Sequence, residues 1–268
     1  MSTDGDHPDE SRNYDYVIDS AMALAGPDGQ VLDFGCGTGT LLDVAEDRGV
    51  GDRFRGVDTF EGLFAEWLDR TPPRVRHRVG PIEHSRIPLD DNSVSVVVAN
   101  QVFEHIADPE PSLAEIYRVL QPGGAFLALF PTRDVWFEGH VRLYFAHVLR
   151  ARPRLQRRYL RTMRRLGFGL DAEDSTLDLD QWTEHAMRTL HDVCFYHRYR
   201  DIETCWQAAF EAAPTSLEMS YMQYRLEKSR RLAPLAGIAR VWPVSAVLVF
   251  VCRRRAGRVL LVRKPAVA

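Results

Sequence analysis

A glycine-rich loop follows a short apolar run near the start of the chain, in the sequence VLDFGCGTG of residues 31–39. Because glycine has no side chain, Gly35, Gly37 and Gly39 let the backbone approach a ligand closely. Their G-x-G-x-G spacing differs from the G-x-G-x-x-G loop that binds a pyrophosphate. Asp33 would repel a pyrophosphate and attract a ligand that carries an ammonium group. The loop therefore predicts a cofactor site, although the same glycines would also let a helix pack closely on a strand.

A second carboxylate, Asp58, stands 19 residues after Gly39, at the end of another short apolar run. An acid at such a strand end is placed to accept hydrogen bonds from ribose hydroxyls. With Asp33 on one side of the glycine loop and Asp58 on the other, we favour cofactor binding over simple packing.

The elements that must position these residues alternate between strands and helices. Predicted strands lie at residues 30–34, 54–57, 74–79, 93–99, 125–130, 217–224 and 244–251. Predicted helices lie at residues 14–24, 40–48, 60–69, 113–120, 202–212 and 227–239. Strands separated by helix-length segments imply an α/β fold, in which helices cover both faces of a parallel sheet. Residues 135–190 carry helical patterning without clear strands, and Arg253–Arg255 are predicted in an exposed turn.

Four segments resemble the class I S-adenosylmethionine-dependent methyltransferases with a type 11 core. They are VLDFGCGTG (31–39), GVD (56–58), IPLDDNSVSVVVANQVFEHIADP (87–109) and YRVLQPGGAFLALFP (117–131). The resemblance implies a Rossmann-like, doubly wound sheet of seven mostly parallel strands with the last strand antiparallel, and S-adenosyl-L-methionine as cofactor. It implies cofactor amino and carboxypropyl groups near Asp33, Gly35 and Gly37, and ribose hydroxyls on Asp58.

Further cofactor-binding residues are carried over from this resemblance. The family often has an acid after the third strand that accepts from adenine, but this chain has Pro81 there. Ile82 is therefore expected to contact adenine through its main chain, and Glu83 to supply the missing acceptor. The rest of the predicted set stands within or beside the motifs: Cys36, Gly39, Thr59, Asn100 and Gln101. We expect the Cys36 side chain to fill space rather than to act as a nucleophile.

Candidate catalytic residues follow the fourth and fifth predicted strands. Glu104 and His105 stand where the methyl end of the cofactor is expected, and a histidine is the natural base for an oxygen nucleophile. If residues 135–190 are helical, His140, Tyr144 and His147 lie on one face at i, i+4 and i+7. We assign the catalytic set as Glu104, His105 and His140, with amphipathic lid residues as the alternative for the later group.

The acceptor must be recognised outside the core, mainly by residues 132–196. An E-x-H segment after the fifth strand partly resembles methyltransferases of polysaccharide and glycolipid gene clusters, which implies O-methylation of a sugar or another polar metabolite. Arginines at 150–165 suit an anionic acceptor, although acids at 171–184 could simply pair with them. A methyltransferase of RNA or another macromolecule and a non-catalytic S-adenosylmethionine-binding partner subunit remain alternatives. An aminopropyltransferase is disfavoured, because Asn100 and Gln101 do not supply the further acids that it needs.

Composition excludes several classes. The chain has 34 Lys and Arg residues against 37 Asp and Glu, a net charge of −3, so nucleic acid is not an expected partner. Residues 1–15 do not resemble a secretory signal, and no apolar run reaches the roughly 20 residues of a bilayer span. Four cysteines without C-x-x-C spacing favour a reduced, cytoplasmic location. No metal is expected, and the oligomeric state is left open.

We expect one methyltransferase domain over residues 1–268. Its parts are a cofactor-binding core at 11–131, a helical insertion at 132–196 that covers the methyl end of the cofactor as a lid, and a C-terminal part of the sheet at 197–268.

Overall fold

The computed structural model describes residues 8–169 and 176–266. Its strands in chain order are β1 (Val31–Phe34), β2 (Phe54–Asp58), β3 (Val79–Pro81), β4 (Val94–Asn100), β5 (Leu120–Phe130), β6 (Phe137–Glu138), β7 (Leu143–Tyr144), β8 (Thr215–Ser216) and β9 (Arg258–Arg263). Within the described residues, seven of them form one sheet in the order β3-β2-β1-β4-β5-β9-β8, and β6 pairs with β7.

Strands β1 to β5 are parallel, whereas β9 is antiparallel to both of its neighbours, β5 and β8. The predicted doubly wound, mostly parallel sheet with an antiparallel last strand is therefore confirmed. β1 lies between β2 and β4, so the strand order reverses there, and ligands of such sheets bind outside the carboxyl ends at this switch point.

The helices in chain order are α1 (Pro8–Ala25), α2 (Thr40–Asp47), α3 (Trp67–Arg70), α4 (Pro73–Arg76), α5 (Pro109–Val119), α6 (Pro153–Arg165), α7 (Leu179–Arg188), α8 (Tyr199–Phe210), α9 (Glu218–Glu227) and α10 (Val244–Arg255). Among the described residues, no helix has both the length and the apolar composition to cross a bilayer.

Two apolar cores lie on opposite faces of the sheet because side chains alternate along each strand. On β5, Phe126 and Phe130 face one core, where Trp206 of α8 stacks on Phe126 with ring centroids 4.5 Å apart. Leu127 and Leu129 face the other core, together with residues of α1, α2 and α9. The rigid sheet between them holds the carboxyl ends of β1, β2 and β4 in place.

The C-terminal part contradicts two predicted strands. Residues 218–227 form α9, and the Leu217 N–H donates the last hydrogen bond to the sheet, to the Val259 carbonyl at 2.7 Å. The predicted strand at 244–251 lies in α10, because β9 already occupies the place beside β5 along six residue pairs. An unbroken apolar run fits a helix or a buried strand equally.

Other predicted elements also differ. Arg253–Arg255 form the last turn of α10, where the helix dipole favours basic side chains, rather than an exposed turn. The predicted helix at 227–239 is replaced by a short 3-10 segment, Ala233–Ile238. Residues 60–81 form a 3-10 turn, α3, α4 and β3 instead of one helix and one longer strand.

The insertion is only partly helical, so the prediction for residues 135–190 is wrong at its start. The hairpin of β6 and β7 comes first, and Arg142 and Phe145 with positive φ end any helical path there. His140 lies in the turn, Tyr144 is exposed and His147 is buried, so these three residues do not share a helix face. Of the predicted acidic stretch at 171–184, residues 171–175 lie outside the described residues.

The rest of the insertion folds around a small core of its own. This core is formed by Val141, Leu143, Ala146, Leu160, Trp182, Ala186 and Leu190. The chain then returns to the loop after β4 through three hydrogen bonds. Phe195 N donates to the Glu104 carbonyl at 2.5 Å, and rings of His105 and His197 bond the carbonyls of Val193 and Ile106. These bonds place the insertion beside the predicted catalytic residues.

Candidate active site

The glycine loop after β1 turns tightly towards β2. Gly35, Gly37 and Gly39 all have positive φ, a region that other residues rarely adopt. Gly37 N donates to Asp58 Oδ2 at 2.9 Å, so the backbone of the loop orients the carboxylate predicted to bind ribose. Thr59 N donates to the other oxygen of Asp58 at 2.7 Å.

Asp33 is buried beneath this loop. Burial raises the pKa of the Asp33 carboxyl to about 8, and the nearby charge of Asp58 adds to the rise. An ammonium group next to Asp33 would reverse this shift, because an opposite charge favours the ionised carboxylate. The site is therefore electrostatically suited to a cationic ligand group.

Two cavities open at the switch point on either side of Trp67. The first, about 230 Å³, is lined by Asp33, Gly37, Asn100 and neighbouring residues. The second, about 310 Å³, is lined by Asp58 and by apolar side chains. Gly35, Gln101 and Trp67 line both cavities. Their arrangement suits a long ligand with an amino-acid end at one side and a nucleoside end at the other.

The other predicted cofactor residues are placed unequally. Cys36, Asn100 and Gln101 line the first cavity, and Thr59 and Ile82 line the second. Glu83 is exposed and absent from both linings, whereas Ser85 is present. Gly39 faces away, because a Cβ there would lie 3.1 Å from Thr71. Gly39 is therefore better explained by close packing of the helix on the strand than by contact with a ligand. Glu83 does not line the cavity to which it was expected to supply an acceptor.

Trp67 and Phe64 were missed as site residues. Their rings lie 4.5 Å apart, and Phe64 also contacts the His105 ring. A Cβ on Gly37 would lie 3.0 Å from the Trp67 ring, so this glycine makes room for the tryptophan. The only signal in the sequence was an aromatic residue in a predicted amphipathic helix, which is more often a core residue.

The predicted catalytic residues His105 and His140 are brought together. Their Nε2 atoms lie 3.3 Å apart, and Nδ1 of His140 lies 2.7 Å from Glu138 Oε1. The hydroxyl of Tyr196 donates to the same carboxylate oxygen. Val141 N donates to Glu138 Oε2 at 2.7 Å. Glu138 is fully buried and receives all three donors, which identifies it as an ionised carboxylate.

The hydrogen bonds also fix the protons of this cluster. The Val193 carbonyl can only accept, so the Nδ1 of His105, 3.0 Å away, carries a proton. Neutral His105 then has a lone pair on Nε2, and the proton between the two rings belongs to His140. His140 is therefore protonated on both nitrogens and forms a buried ion pair with Glu138.

The pKa shifts agree with this assignment. Burial lowers the pKa of His105 to about 4, and the charge of His140 contributes. For His140 burial acts in the opposite direction, but its bonds to Cys194 and Glu138 outweigh burial and raise the pKa well above the usual value. The pKa of Glu138 is lowered despite its burial, because His140, Tyr196 and the Val141 N–H donate to it.

Glu104 lies buried behind these histidines. Burial raises the pKa of its carboxyl to about 7, against the opposing effect of the His140 charge. Within the described part of the chain, neither of its carboxylate oxygens has a hydrogen-bond partner. A carboxyl with a pKa near neutrality can take or release a proton at the working pH.

His105, His140 and Cys194 also bring together donor atoms of the type that bind metals. One ligand atom from each residue lies within 4.8 Å of the other two. The sequence prediction of no metal overlooked this grouping because Cys194 lies 54 residues from His140. The hydrogen bonds described above already use both nitrogens of each histidine.

A third cavity, of about 600 Å³, meets the cofactor cavities at Gln101. His140 and Tyr196 stand at one end, and Tyr221, Arg225 and Arg255 line the side formed by α9 and α10. The cavity is large enough for a small polar molecule, and its arginines suit an anionic group. It is the space in which an acceptor would meet both the cofactor crevice and His140.

The arginines of the insertion do not line this cavity. Arg157 pairs with Glu184, and Arg161 pairs with Asp180. Arg150 donates to the carbonyls of Cys194 and His191. The alternative that the acids pair with these arginines is therefore observed at both described pairs. Arg225 and Arg255 line the cavity instead, whereas the sequence predicted Arg253–Arg255 only in an exposed turn.

Comparison with known proteins places this geometry in a family. Residues 32–128 match the family model of a methyltransferase domain. A probable S-adenosylmethionine-dependent methyltransferase of Mycolicibacterium smegmatis is 42% identical over 119 residues, 44% of each chain. The malonyl-[acyl-carrier protein] O-methyltransferase of Serratia marcescens is 32% identical over 106 residues, 40% of each chain. The chain thus spans less than half the length of each relative.

Among solved structures, the [4+2]-cyclase SpnF has a similar fold. The TM-score is 0.50 at 19% identity, over 96% of this chain and 82% of that chain. The fold is the Rossmann-like one of that structure. Residues 32–128 form a class I S-adenosylmethionine-dependent methyltransferase domain, as the four motifs predicted. S-adenosylmethionine is the cofactor of such domains.

The residues of this chain fit that cofactor. Within the described residues Asn100 Oδ1 is buried without a hydrogen-bond partner beside the first cavity, where it could accept from the amino group together with Asp33. A Cβ on Gly35 would lie 2.6 Å from Val102, so glycine keeps the crevice open there. Asp58 stands at the second cavity, where ribose hydroxyls would bind.

Proposed function

We propose that this protein transfers a methyl group from S-adenosylmethionine to a hydroxyl oxygen of a small polar acceptor, with His140 as the general base. The observation that carries this proposal is the Glu138–His140 pair: His140 lines the third cavity, and its ring contacts His105, which lines the second cavity. The proposal extends beyond residues 32–128, since His140 belongs to the insertion.

The cofactor supplies an electrophilic methyl group on a sulfonium. Asp33, Asn100 and Asp58 hold it at the switch point, while Gln101 lines all three cavities. In the transfer an O–CH3 bond would form as the S–CH3 bond breaks. At a pH above its raised pKa, His140 would lose the Nε2 proton that it shares with His105, and this nitrogen would then take the proton of the acceptor hydroxyl. Glu138 would stabilise the imidazolium that forms, in which Nε2 again donates to His105. Alignment of the reactants contributes much of the acceleration in such displacements.

Cofactor binding is tested by calorimetry with S-adenosylmethionine and its demethylated product. Asp58→Ala should weaken binding by about 1.5–3 kcal/mol, because a hydrogen bond to a charged group is lost. Glu83→Ala is the matched control, since Glu83 is an exposed acid outside both cavity linings, and it should bind as the wild type does. Absence of binding heat with either compound would end the proposal.

Turnover tests the role of His140. With a panel of sugars, phosphorylated sugars and polar hydroxyl compounds as acceptors, His140→Gln should lower methyl transfer about 100-fold or more and leave cofactor affinity unchanged. Chelation of metals should not change the rate. A variant that retains the wild-type rate would show that His140 is not the base.

A carboxylate acceptor is the second candidate, favoured by Arg225 and Arg255 in the wall of the third cavity. The Serratia marcescens relative is named as a malonyl O-methyltransferase. A carboxylate is already ionised at neutral pH and needs no base. With a carboxylate acceptor, the rate of methyl transfer should be unchanged in His140→Gln and lower in Arg255→Gln.

A further inference from the structure

Large apolar side chains are exposed along one segment that runs from the end of α9 through α10. They are Leu232, Leu235, Ile238, Val241, Trp242, Val247, Phe250 and Val251, which together are called the C-terminal apolar surface. Trp242 is 79% exposed, and the last three residues share one face of α10 through their spacing of three and four. Exposed apolar side chains grouped in this way mark a contact surface.

Basic residues are concentrated in the part of the sequence that contains this surface, although Arg258, Arg263 and Lys264 lie in or directly after β9. Ten of the 34 Lys and Arg residues lie in residues 228–268, and none of the 37 Asp and Glu residues does. Lys228, Arg230 and Arg231 are exposed directly before the surface. Arg253–Arg255 follow it in the last turn of α10. The apolar side chains are therefore bordered by positive charge at both ends of the segment.

Two of the arginines that follow the surface have neutral partners. Arg254 donates to the Asp134 backbone carbonyl at 2.8 Å, and Arg255 donates to the Tyr144 hydroxyl at 2.7 Å. Arg253 and Arg258 differ because both pair with the buried carboxylate of Glu218, and Arg258 also pairs with Asp134. The basic residues that border the C-terminal apolar surface are therefore suited to contact a negatively charged partner.

We propose that the C-terminal apolar surface docks on an anionic lipid bilayer. Tryptophan is enriched at the boundary between headgroups and acyl chains, and interfacial helices combine apolar faces with Lys and Arg. Trp242 and the exposed face of α10 would enter this boundary while the arginines contact lipid phosphates. A second copy of the chain packed symmetrically on the same surface would oppose its arginines to its own, which is unfavourable.

If the proposed function holds, this docking also indicates which class of methyl acceptor the protein uses. Leu232, Val251 and Arg255 line the third cavity, and the first two belong to the C-terminal apolar surface. The cavity therefore opens beside the bilayer. An acceptor with a polar, anionic head and an apolar tail could reach His140 without leaving the lipid.

Flotation of the full chain with vesicles tests the docking. Phosphatidylcholine vesicles that contain phosphatidylglycerol should bind the protein, and pure phosphatidylcholine vesicles should bind much less. Added salt should weaken binding because it screens the phosphates. Trp242 fluorescence should shift to the blue on binding, and this shift should be absent in Trp242→Ser.

Matched variants separate the two contributions. Ile238→Ser with Trp242→Ser should lower vesicle affinity about tenfold or more through lost apolar burial. Arg230→Gln with Arg231→Gln should have an effect of similar size on anionic vesicles only. The control changes two equally exposed apolar residues of the insertion, Leu166→Ser and Phe168→Ser, and should bind as the wild type does.

Three results would overturn the proposal. They are no binding to anionic vesicles, equal loss of binding in the control, or a dimer or protein complex that Trp242→Ser disrupts while vesicle binding is absent. Each variant is also titrated with S-adenosylmethionine, and retained cofactor binding shows that it is folded. Vesicle binding without turnover would contradict the proposed function and leave the docking intact.

Discussion

Glu138 sets the pH range in which His140 can act as a base. The carboxylate raises the pKa of His140 well above its usual value, so the neutral form increases only as the pH rises through that higher pKa. We expect methyl transfer by the wild type to increase towards alkaline pH. In Glu138→Gln the pKa of His140 falls, so the inflection of the pH–rate profile should move to lower pH, with a lower plateau.

Tyr196→Phe is the control for this prediction. It removes one donor to Glu138 and keeps the negative charge, so its inflection should stay closer to that of the wild type. An unchanged inflection in Glu138→Gln would mean that another group titrates in the profile.

Asp33 makes the cofactor-free protein sensitive to pH. The pKa of its carboxyl is about 8 in the folded protein, above the usual value near 4 of an unfolded chain. A raised carboxyl pKa means that the folded state holds the proton more tightly, so this residue destabilises the fold progressively as the pH rises from about 4 to 8. In the Asp33→Asn variant the side chain at this position cannot ionise. The melting temperature of the variant should therefore exceed that of the wild type by a difference that grows between pH 5 and pH 8.

The same substitution should weaken cofactor binding, because the ammonium group loses its anionic partner. Asp28→Asn is the control, since Asp28 is exposed. If Asp33→Asn shows the same pH dependence of melting as the wild type, the raised pKa of Asp33 is contradicted.

Residue spacing in the sequence predicted most residues that line the two cavities at the switch point, but it did not predict the cluster around Glu138 and His140. Asp33, Gly35 and Gly37 lie within a few residues of one another, so one loop carries most of the chemistry. Cys194 and Tyr196 lie more than 50 residues from Glu138. These residues come together only because the insertion returns to the loop after β4. A local sequence pattern cannot show a contact of this kind.

At the scale of elements, Gly257 lies in the tight turn that joins α10 to β9. Its φ is +107°, and a Cβ there would lie 2.2 Å from the Phe130 carbonyl oxygen. Gly257→Ala should lower the free energy of unfolding by about 2 kcal/mol or more, through backbone strain and this close contact. Chemical denaturation measures the loss.

Gly123 provides a matched control on the same strand pair. It also has positive φ, at +78°, but a Cβ there would meet nothing within 4 Å. Gly123→Ala should therefore cost only the conformational strain, about 1 kcal/mol. Equal losses in the two variants would show that contact with Phe130 does not matter.

Apart from residues 60–81, the elements before the insertion followed from sequence patterns, whereas most of those after residue 216 did not. β4 is apolar on both faces, as expected of a central parallel strand. The apolar run of α10 has the same composition, yet six residues of β9 already pair with β5. Only one of the two apolar runs, that of α10 or that of β9, can pair with β5. The periodicity of either run does not show which of them pairs more favourably.

At the scale of the whole molecule, the total charge of −3 conceals its distribution. The total excluded a general polyanion binder, but the absence of acids from residues 228–268 was visible in the sequence and was overlooked. The exposure of the neighbouring apolar side chains could not be read from the sequence, because it depends on which face of α10 packs against α9. Both observations are needed to indicate a lipid surface.

The uneven distribution of charge gives the protein a permanent electric dipole. Residues 228–268 carry ten basic residues and no acid, whereas the rest of the chain carries 24 basic and 37 acidic residues, so the centres of positive and negative charge do not coincide. Near an anionic surface the molecule as a whole is weakly repelled, but the electric field of the surface exerts a torque on the dipole that turns its positive end towards the surface. This torque acts only within a Debye length, about 8 Å at physiological ionic strength. The molecule would therefore rotate into its productive orientation during the last ångströms of approach, before any apolar side chain leaves water.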